Sequence, residues 1–182
     1  MESKEHLPFP TGKYGIIYAD PPWCYNNRST RGAAEDHYPT MSIEDLKALP
    51  VSEIADENCV LFLWTTFPML PEALDTVKAW GFQYKTGAFT WLKENRSGEG
   101  LFTGLGNWTR SNAEICLLAT RGRPKRVSAS VNSAILSPVE HHSKKPDEVR
   151  RRIEQLMGDV PRIELFARQR AEGWDAWGNE VP

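Results

Sequence analysis

Short runs of apolar residues, each ended by a turn signal, alternate along this chain with segments of helical periodicity. The first run, YGIIYA at residues 14–19, stops at an aspartate and two prolines. The second run, CVLFLW at residues 59–64, is apolar throughout. Continuous apolar runs of about four to eight residues are typical of strands that are buried on both faces. Both segments are therefore predicted to be interior strands.

Three segments carry helix signals. Ser42, followed by Asp45, predicts the start of a short helix over residues 43–49. Two longer helices are predicted between a proline that opens each and a glycine that ends it, at residues 71–81 and 146–158. The apolar positions expected on their core sides are Leu74, Val77 and Trp80 in the first, and Val149, Ile153 and Leu156 in the second.

Three further strands are predicted at residues 82–92, 113–119 and 162–167. The loop at residues 94–112 is rich in Gly, Ser and Asn and exceeds the usual connection of about 4–6 residues, which indicates a functional segment. Strands that alternate with helices predict an α/β layer fold. Because no repeat or linker divides the chain, residues 1–182 are expected to form a single domain.

Composition excludes several classes of protein. The chain has 182 residues, of which 40% are hydrophobic and 25% charged, as in ordinary globular proteins. Its three cysteines form no CxxC motif and its four histidines are not spaced with them as zinc ligands, so reduced thiols and no metal site are expected. The amino terminus lacks the pattern of a signal peptide, and no window reaches the roughly 18 apolar residues of a membrane span. A cytoplasmic location without membrane attachment is predicted.

The net charge of −2 means that affinity for nucleic acid would have to come from local basic segments. Two such segments occur: Arg121, Arg123, Lys125 and Arg126 form the first, and Lys144, Lys145, Arg150, Arg151 and Arg152 form the second. Contacts with phosphate are one interpretation, and solvated faces of the protein are the other.

The candidate chemistry lies at Asp20, Pro21, Pro22 and Trp23, directly after the first predicted strand. Open α/β sheets bind ligands outside the carboxyl ends of their strands. The exocyclic amine of adenine is a poor nucleophile because its lone pair is delocalised into the ring, and hydrogen-bond acceptors on its N–H groups would return density to nitrogen. The Asp20 carboxylate and the Pro21 carbonyl are predicted acceptors, held by the two prolines, while Trp23 would stack on a flipped base. A proline-stiffened turn with a core tryptophan is the alternative.

Several short motifs occur in order from about residue 14 to residue 181. They are Asp20-Pro21-Pro22-Trp23, Tyr38-Pro39-Thr40-Met41, Leu61-Phe62-Leu63-Trp64, Lys145-Pro146-Asp147-Glu148, Ile163-Glu164-Leu165-Phe166-Ala167-Arg168 and Trp177-Gly178-Asn179. In these motifs the chain resembles the MT-A70 family of S-adenosylmethionine-dependent adenine N(6)-methyltransferases, which act on DNA or RNA. The resemblance implies a Rossmann-like methyltransferase sheet with helices on both faces and a circularly permuted motif order.

The resemblance also implies roles for individual residues. Asp20 would contact both the target amine and the methionine end of S-adenosyl-L-methionine, and Tyr38 would line the pocket for the target base. The ribose or adenine side of this cofactor would be held by Arg168, Asn179 and Glu180, the last of which stands where family members often carry an amide. The nucleic acid is expected to be bound by basic residues of both segments, namely Arg121, Arg123, Lys144 and Lys145.

DNA is the expected substrate, and RNA is the alternative. Two other classes of function stay open. One is a catalytically idle subunit that only binds nucleic acid, but such a subunit would have no chemical need for the acceptor carboxylate. The other is a hydrolase built on His141, His142 and Ser143, which lacks a recognisable base and orienting group. Base context would be read by the chain's own loops or by a second copy in a homodimer.

Overall fold

The computed structural model of the protein describes residues 8–24, 41–141 and 144–181. In chain order its strands are β1 (Tyr14–Ala19), β2 (Ala55–Thr65), β3 (Gln83–Glu94), β4 (Ala113–Arg121), β5 (Ala134–Pro138), β6 (Arg162–Leu165) and β7 (Asp175–Trp177). Its helices are α1 (Ile43–Ala48), α2 (Val51–Ile54), α3 (Leu70–Ala79) and α4 (Glu148–Met157), and a 3₁₀ turn at Phe67–Met69 precedes α3.

These strands form one sheet in the order β5-β3-β4-β2-β1-β6-β7. β1 is parallel to its neighbours β2 and β6, and β7 is parallel to β6. β4 is antiparallel to both β2 and β3. The last two strands of the chain therefore lie beside the first, as a circularly permuted Rossmann-like sheet requires, and the predicted fold class is confirmed.

Both faces of the sheet are covered, which explains the uninterrupted apolar runs of the sequence. Along β1, Ile17 and Ala19 point into the core shared with α1, α2 and α3, whereas Ile16 and Tyr18 point into the core shared with α4. The side chains of β2 alternate in the same way between the two cores. A strand with helices on both sides has no polar face, so alternation of polar and apolar residues is absent.

The predicted elements agree with the structure except in detail. The Ser42 hydroxyl accepts a hydrogen bond from the backbone N–H of Asp45 at 3.1 Å and so caps α1. On the core side of α4, Met157 follows Val149 and Ile153 at four-residue intervals, and Leu156 packs half-buried against the same core. α2, β5 and β7 were not predicted, since each has five residues or fewer and lacks a continuous apolar run.

Three strand ends meet at one edge of the sheet. Ala19 of β1 is in register with Leu165 of β6, and Leu165 is in register with Trp177 of β7. The residues that follow these three strands therefore stand side by side. β1 lies between β2 and β6, so later strands of the chain are added on both sides of it. Ligands of open α/β sheets bind at such a point, outside the carboxyl ends of the strands.

Candidate active site

The turn after β1 is fixed by its prolines and by two backbone hydrogen bonds. The N–H of Trp23 donates to the carbonyl of Pro21 at 2.9 Å, and the N–H of Met41 donates to the carbonyl of Pro22 at 3.2 Å. Because proline fixes its own φ, little backbone freedom is left between Asp20 and Trp23. The Asp20 carboxylate is thus presented by a rigid turn at the carboxyl end of β1.

Trp23 anchors this turn in the core. Its side chain is only 5% exposed, and its indole N–H donates to the carbonyl of Trp64 at 2.9 Å. The predicted stacking of Trp23 on a target base would need an open ring face, which this burial does not provide. The observed contacts correspond to the alternative interpretation for this residue, a core tryptophan that stiffens the turn.

Asp20 belongs to a chain of buried ion pairs. Its Oδ2 lies 3.0 Å from Nζ of Lys145, and the same Nζ lies 3.0 Å from Oε2 of Glu114. The other carboxylate oxygen of Glu114 lies 2.8 Å from Nζ of Lys93. Two ammonium groups and two carboxylates alternate, so the charges of this cluster balance. The Lys145 ammonium can join β1 to β4 because it lies over the Trp64 ring, on the strand between them, 5.7 Å from the ring centroid.

Burial and pairing oppose each other within the cluster. Burial raises the pKa of Asp20 above its usual value, although Lys145 lowers it in part. Burial also disfavours the charged form of Lys145, but the carboxylates of Asp20 and Glu114 outweigh it and raise the Lys145 pKa. Glu114 faces two ammonium groups, which overcome its burial and lower its pKa. Lys145 and Glu114 are therefore held charged, and Asp20 is the carboxyl group of the cluster that protonates first as the pH falls.

A cleft opens beside Asp20, above the ends of β1 and β6. Its lining includes Tyr18, Asp20, Lys145, Glu164, Phe166 and Arg168. The Tyr18 hydroxyl accepts a hydrogen bond from the Trp64 indole N–H at 2.8 Å, and burial raises the Tyr18 pKa well above its usual value. Glu164 is paired with Arg150 at 2.9 Å. Both signs of charge thus face one cleft, which suits a ligand that carries an ammonium and a carboxylate, such as an amino acid.

The wall of the cleft at β6 and β7 is tightly built. Phe166, directly after β6, has a φ of 60°, a left-handed conformation that is unusual for a non-glycine residue. A Cβ atom at Gly178 would clash with the Ala167 carbonyl oxygen, so only glycine allows the two strand ends to approach this closely. Asn179 and Glu180 follow, with exposed side chains, at the same edge of the sheet as Asp20.

Part of the second basic segment, Lys144, Lys145 and Arg150, comes to this site. Lys145 lies within it, but as the partner of Asp20 and Glu114 rather than as a surface cation. Lys144 lies at the cleft and is held by Glu140 at 3.1 Å and by Asp147 at 2.8 Å. Arg168 also faces the cleft, close enough for its charge to lower the pKa of Asp20.

The first basic segment does not come to this site. Arg121 is in register with Cys59 and Ala19 with Leu63, so about 13 Å of strand separates the levels of Arg121 and Ala19, the residue before Asp20. The guanidinium of Arg121 donates to the carbonyl of Ser52 at 2.6 Å, and the backbone N–H of Arg123 donates to the Asn58 side chain at 2.7 Å. Arg121 and Arg123 are therefore remote from Asp20, because the antiparallel direction of β4 carries its end to the opposite edge of the sheet. Contact with a distant phosphate stays a prediction for this segment.

Tyr38, the predicted wall of the base pocket, lies outside the described residues, as do His142 and Ser143.

Sequence reasoning missed Glu114 and Lys93 as members of the site. Glu114 is the one charged residue inside the otherwise uncharged run AEICLLA, and a carboxylate in a predicted interior strand is a signal that it has a buried partner. Lys93 gives no comparable signal, because it stands directly after the predicted strand at residues 82–92, where charged residues are common. Only the pairing of β3 with β4 brings the two side chains together.

The described residues contain neither a metal-binding cluster nor a helix that could span a membrane. Among residues 8–24, 41–141 and 144–181, no three His, Cys, Asp or Glu side chains are grouped closely enough to hold a metal ion. No helix in this part of the chain combines the length and the apolar character that crossing a bilayer requires.

The chain is similar to known methyltransferases along almost its whole length. A type II methyltransferase of Mycoplasma, M.MunI, is 33% identical over 193 aligned positions, which cover 95% of this chain and 80% of that protein. An N(6)-adenosine-methyltransferase MT-A70-like protein of Drosophila melanogaster is 31% identical, and the human N(6)-adenosine-methyltransferase catalytic subunit METTL3 is 28% identical, each over 93% of this chain. The chain spans only 27% and 28% of the length of these two relatives. Residues 14–180 match the MT-A70 family, and this match includes the turn after β1, the ion pairs of Asp20 and the cleft above β6: the chain belongs to the MT-A70 family.

Proposed function

We propose that this protein transfers a methyl group from S-adenosyl-L-methionine to the exocyclic N(6) amine of adenine in DNA, and that residues 1–182 act as one methyltransferase domain. The observation that carries the proposal is the Asp20 carboxylate, which a rigid proline turn holds at the cleft and which Lys145 fixes at 3.0 Å. A carboxylate in this position offers a hydrogen-bond acceptor where a ligand of an open α/β sheet binds.

The task of Asp20 is to accept a hydrogen bond from the adenine amine. Hydrogen bonds from the amine to Asp20 and to the Pro21 carbonyl increase the electron density on nitrogen and orient its lone pair. The Pro21 carbonyl already accepts the N–H of Trp23, and a carbonyl oxygen has a second lone pair that the amine can use. Both acceptors are fixed before the substrate arrives, so no reorganisation is needed during the reaction.

Methyl transfer also requires the amine to lose a proton. The nitrogen forms a bond to the methyl carbon as the bond between that carbon and sulfur breaks, and one N–H proton must then leave the product. Asp20 is placed to accept it, and burial raises the pKa of this carboxyl group, which brings its proton affinity closer to that task. Lys145 stays charged throughout and keeps the carboxylate in place.

The cleft supports S-adenosyl-L-methionine as the methyl donor. When bound, this molecule supplies an electrophilic methyl group on a sulfonium ion. Its amino-acid end carries an ammonium and a carboxylate, and the cleft presents Asp20 and Glu164 for the first and Lys145 for the second. Arg168 lines the same cleft close to Asp20, so it is proposed to bind this carboxylate rather than the ribose or adenine side that the resemblance implies. Asn179 and Glu180, exposed at the same edge, are proposed to bind the ribose hydroxyl groups.

DNA is proposed as the substrate because the chain covers most of the length of one relative and only a small part of the others. It covers 80% of a type II methyltransferase, a class that acts on DNA, but little more than a quarter of the N(6)-adenosine-methyltransferases. The adenosine in the names of those relatives makes RNA the second candidate.

The test is methylation of matched DNA and RNA oligonucleotides by the full chain and by Asp20→Ala. Loss of one preorganised acceptor typically lowers kcat by about 10²–10³-fold. Asp159→Ala is the matched control, because the Asp159 side chain is 97% exposed and pairs only at the surface with Arg162. We expect N(6)-methyladenine in DNA with the wild type and with the control. Near-wild-type turnover by Asp20→Ala would contradict the mechanism, and faster methylation of RNA would change the substrate.

A further inference from the structure

A lysine outside the cleft completes the ion-pair chain of the site. Lys93, on β3, is not among the residues that line the cleft, yet its ammonium lies 2.8 Å from Oε1 of Glu114. Both side chains are largely buried, at 17% and 11% exposed. The second oxygen of Glu114, Oε2, lies 3.0 Å from Nζ of Lys145. Glu114 therefore joins two ammonium groups, and the second of these pairs with Asp20.

Aromatic rings restrict the motion of both lysines. Nζ of Lys93 lies 5.1 Å from the centroid of the Trp91 ring, and Nζ of Lys145 lies 5.7 Å from the centroid of the Trp64 ring. The two indoles are themselves buried and in edge-to-face contact, with centroids 6.5 Å apart. A cation over an indole face is attracted by the ring, so the two ammonium groups are held at a fixed spacing.

We propose that Lys93 is a positioning residue for methyl transfer: it holds one oxygen of Glu114, so that the other oxygen holds Lys145 against Asp20. This inference rests on the proposed function of Asp20 as the acceptor for the amine. Lys93 does not touch the cleft, and its effect reaches the reacting atoms only through Glu114 and Lys145.

The charge balance of the cluster makes the role testable. With Lys93 present, two ammonium groups match two carboxylates. Without its charge, Asp20 and Glu114 share the single ammonium of Lys145, and a buried excess negative charge is relieved by uptake of a proton. Glu114 loses the ammonium group that helps to lower its pKa, so it attracts Lys145 more strongly. Lys145 then stabilises the Asp20 carboxylate less, and the Asp20 pKa, which burial already raises, rises further. The titratable and charged groups that face Asp20 are Lys145 before α4, Glu114 and Cys116 on β4, Arg168 after β6, Glu164 on β6 and Tyr18 on β1.

The experiment uses Lys93→Gln and Lys93→Arg in the full chain. Glutamine keeps a hydrogen-bond donor for Glu114 but removes the charge, whereas arginine keeps the charge. In Lys93→Gln we expect the acidic limb of the kcat–pH profile to move up by about one pH unit, so that kcat falls about 10-fold at mildly acidic pH and recovers in alkali. KM for the methyl donor should change little, and Lys93→Arg should restore the wild-type profile.

A second measurement does not depend on activity. Carbon-13 NMR titration of the side-chain carboxyl groups, with the Asp20 signal assigned through Asp20→Asn, should show a higher Asp20 pKa in Lys93→Gln than in the wild type. Lys47→Gln is the matched control, because Lys47 makes an ion pair of 2.9 Å with Glu44 on the surface of α1. It should alter neither the kcat profile nor the titration.

Two results would overturn the proposal. One is a loss of kcat in Lys93→Gln that is equal at every pH, which a merely structural lysine would cause. The other is an Asp20 titration that Lys93→Gln leaves unmoved. If the wild type methylated none of the oligonucleotides, the proposed function would fail, whereas the NMR titration would still decide whether Lys93 controls Asp20.

Discussion

The buried position of Trp23 allows a prediction that separates anchoring from base stacking. Replacing Trp23 with phenylalanine keeps an aromatic face but removes the indole N–H that donates to the Trp64 carbonyl at 2.9 Å. If Trp23 anchors the turn, this substitution lowers the free energy of unfolding even though it keeps an aromatic ring. If Trp23 stacks on the target base, phenylalanine should preserve most of its contribution to DNA binding.

The expected loss of stability has two parts. A hydrogen bond lost in the core costs about 1 kcal/mol. The smaller phenyl ring leaves a cavity that costs about 1 kcal/mol more, because the side chain is only 5% exposed and its surroundings collapse incompletely. For a chain of this length, a loss of about 2 kcal/mol corresponds to a fall in Tm of about 4–8 °C.

The assay is unfolding in urea, together with binding of an adenine-containing DNA oligonucleotide. Trp108→Phe is the matched control, because it makes the same substitution at a tryptophan that is 100% exposed. There the free energy of unfolding is expected to change by less than about 0.5 kcal/mol. The reasoning would be refuted if Trp23→Phe left the unfolding midpoint unchanged, or if it weakened DNA binding without any loss of stability.

Three further predictions concern Asp20, Asn179 and the first basic segment. Because burial raises the pKa of Asp20 and its carboxylate form is needed, kcat should fall with decreasing pH through a pKa above the usual aspartate value; a profile flat down to that usual value would contradict this. Asn179→Ala should raise the KM for the methyl donor several-fold, since a hydrogen bond to a ribose hydroxyl contributes about 1 kcal/mol, and an unchanged KM would remove Asn179 from the site. If Arg121 and Arg123 neutralise phosphates of duplex DNA, replacing both with Ala should lower the slope of log K against log salt by about 0.9 for each phosphate that is no longer neutralised; an unaltered slope identifies them as solvated surface.

The sequence alone determined the elements whose signals are local. Continuous apolar runs predicted β1 and the core of β2, because strands covered on both faces need apolar side chains at every position. Ser42 predicted the start of α1, since a cap depends on residues three positions apart. The Asp-Pro-Pro-Trp turn at the end of β1 was likewise predicted, because proline restricts its own backbone wherever it stands. The motif order also indicated the family.

Only the tertiary structure decided which charges meet and which side chains are buried. Asp20, Lys145, Glu114 and Lys93 come from four separate parts of the chain, and they meet because β1 and β4 flank β2 and because β3 pairs with β4. No local pattern encodes such a neighbourhood. The position of Arg121 has the same explanation: the basic segment is visible in the sequence, but the antiparallel direction of β4, which carries it to the far edge, is not. An ion pair depends on distance in space, whereas a sequence pattern reports only distance along the chain.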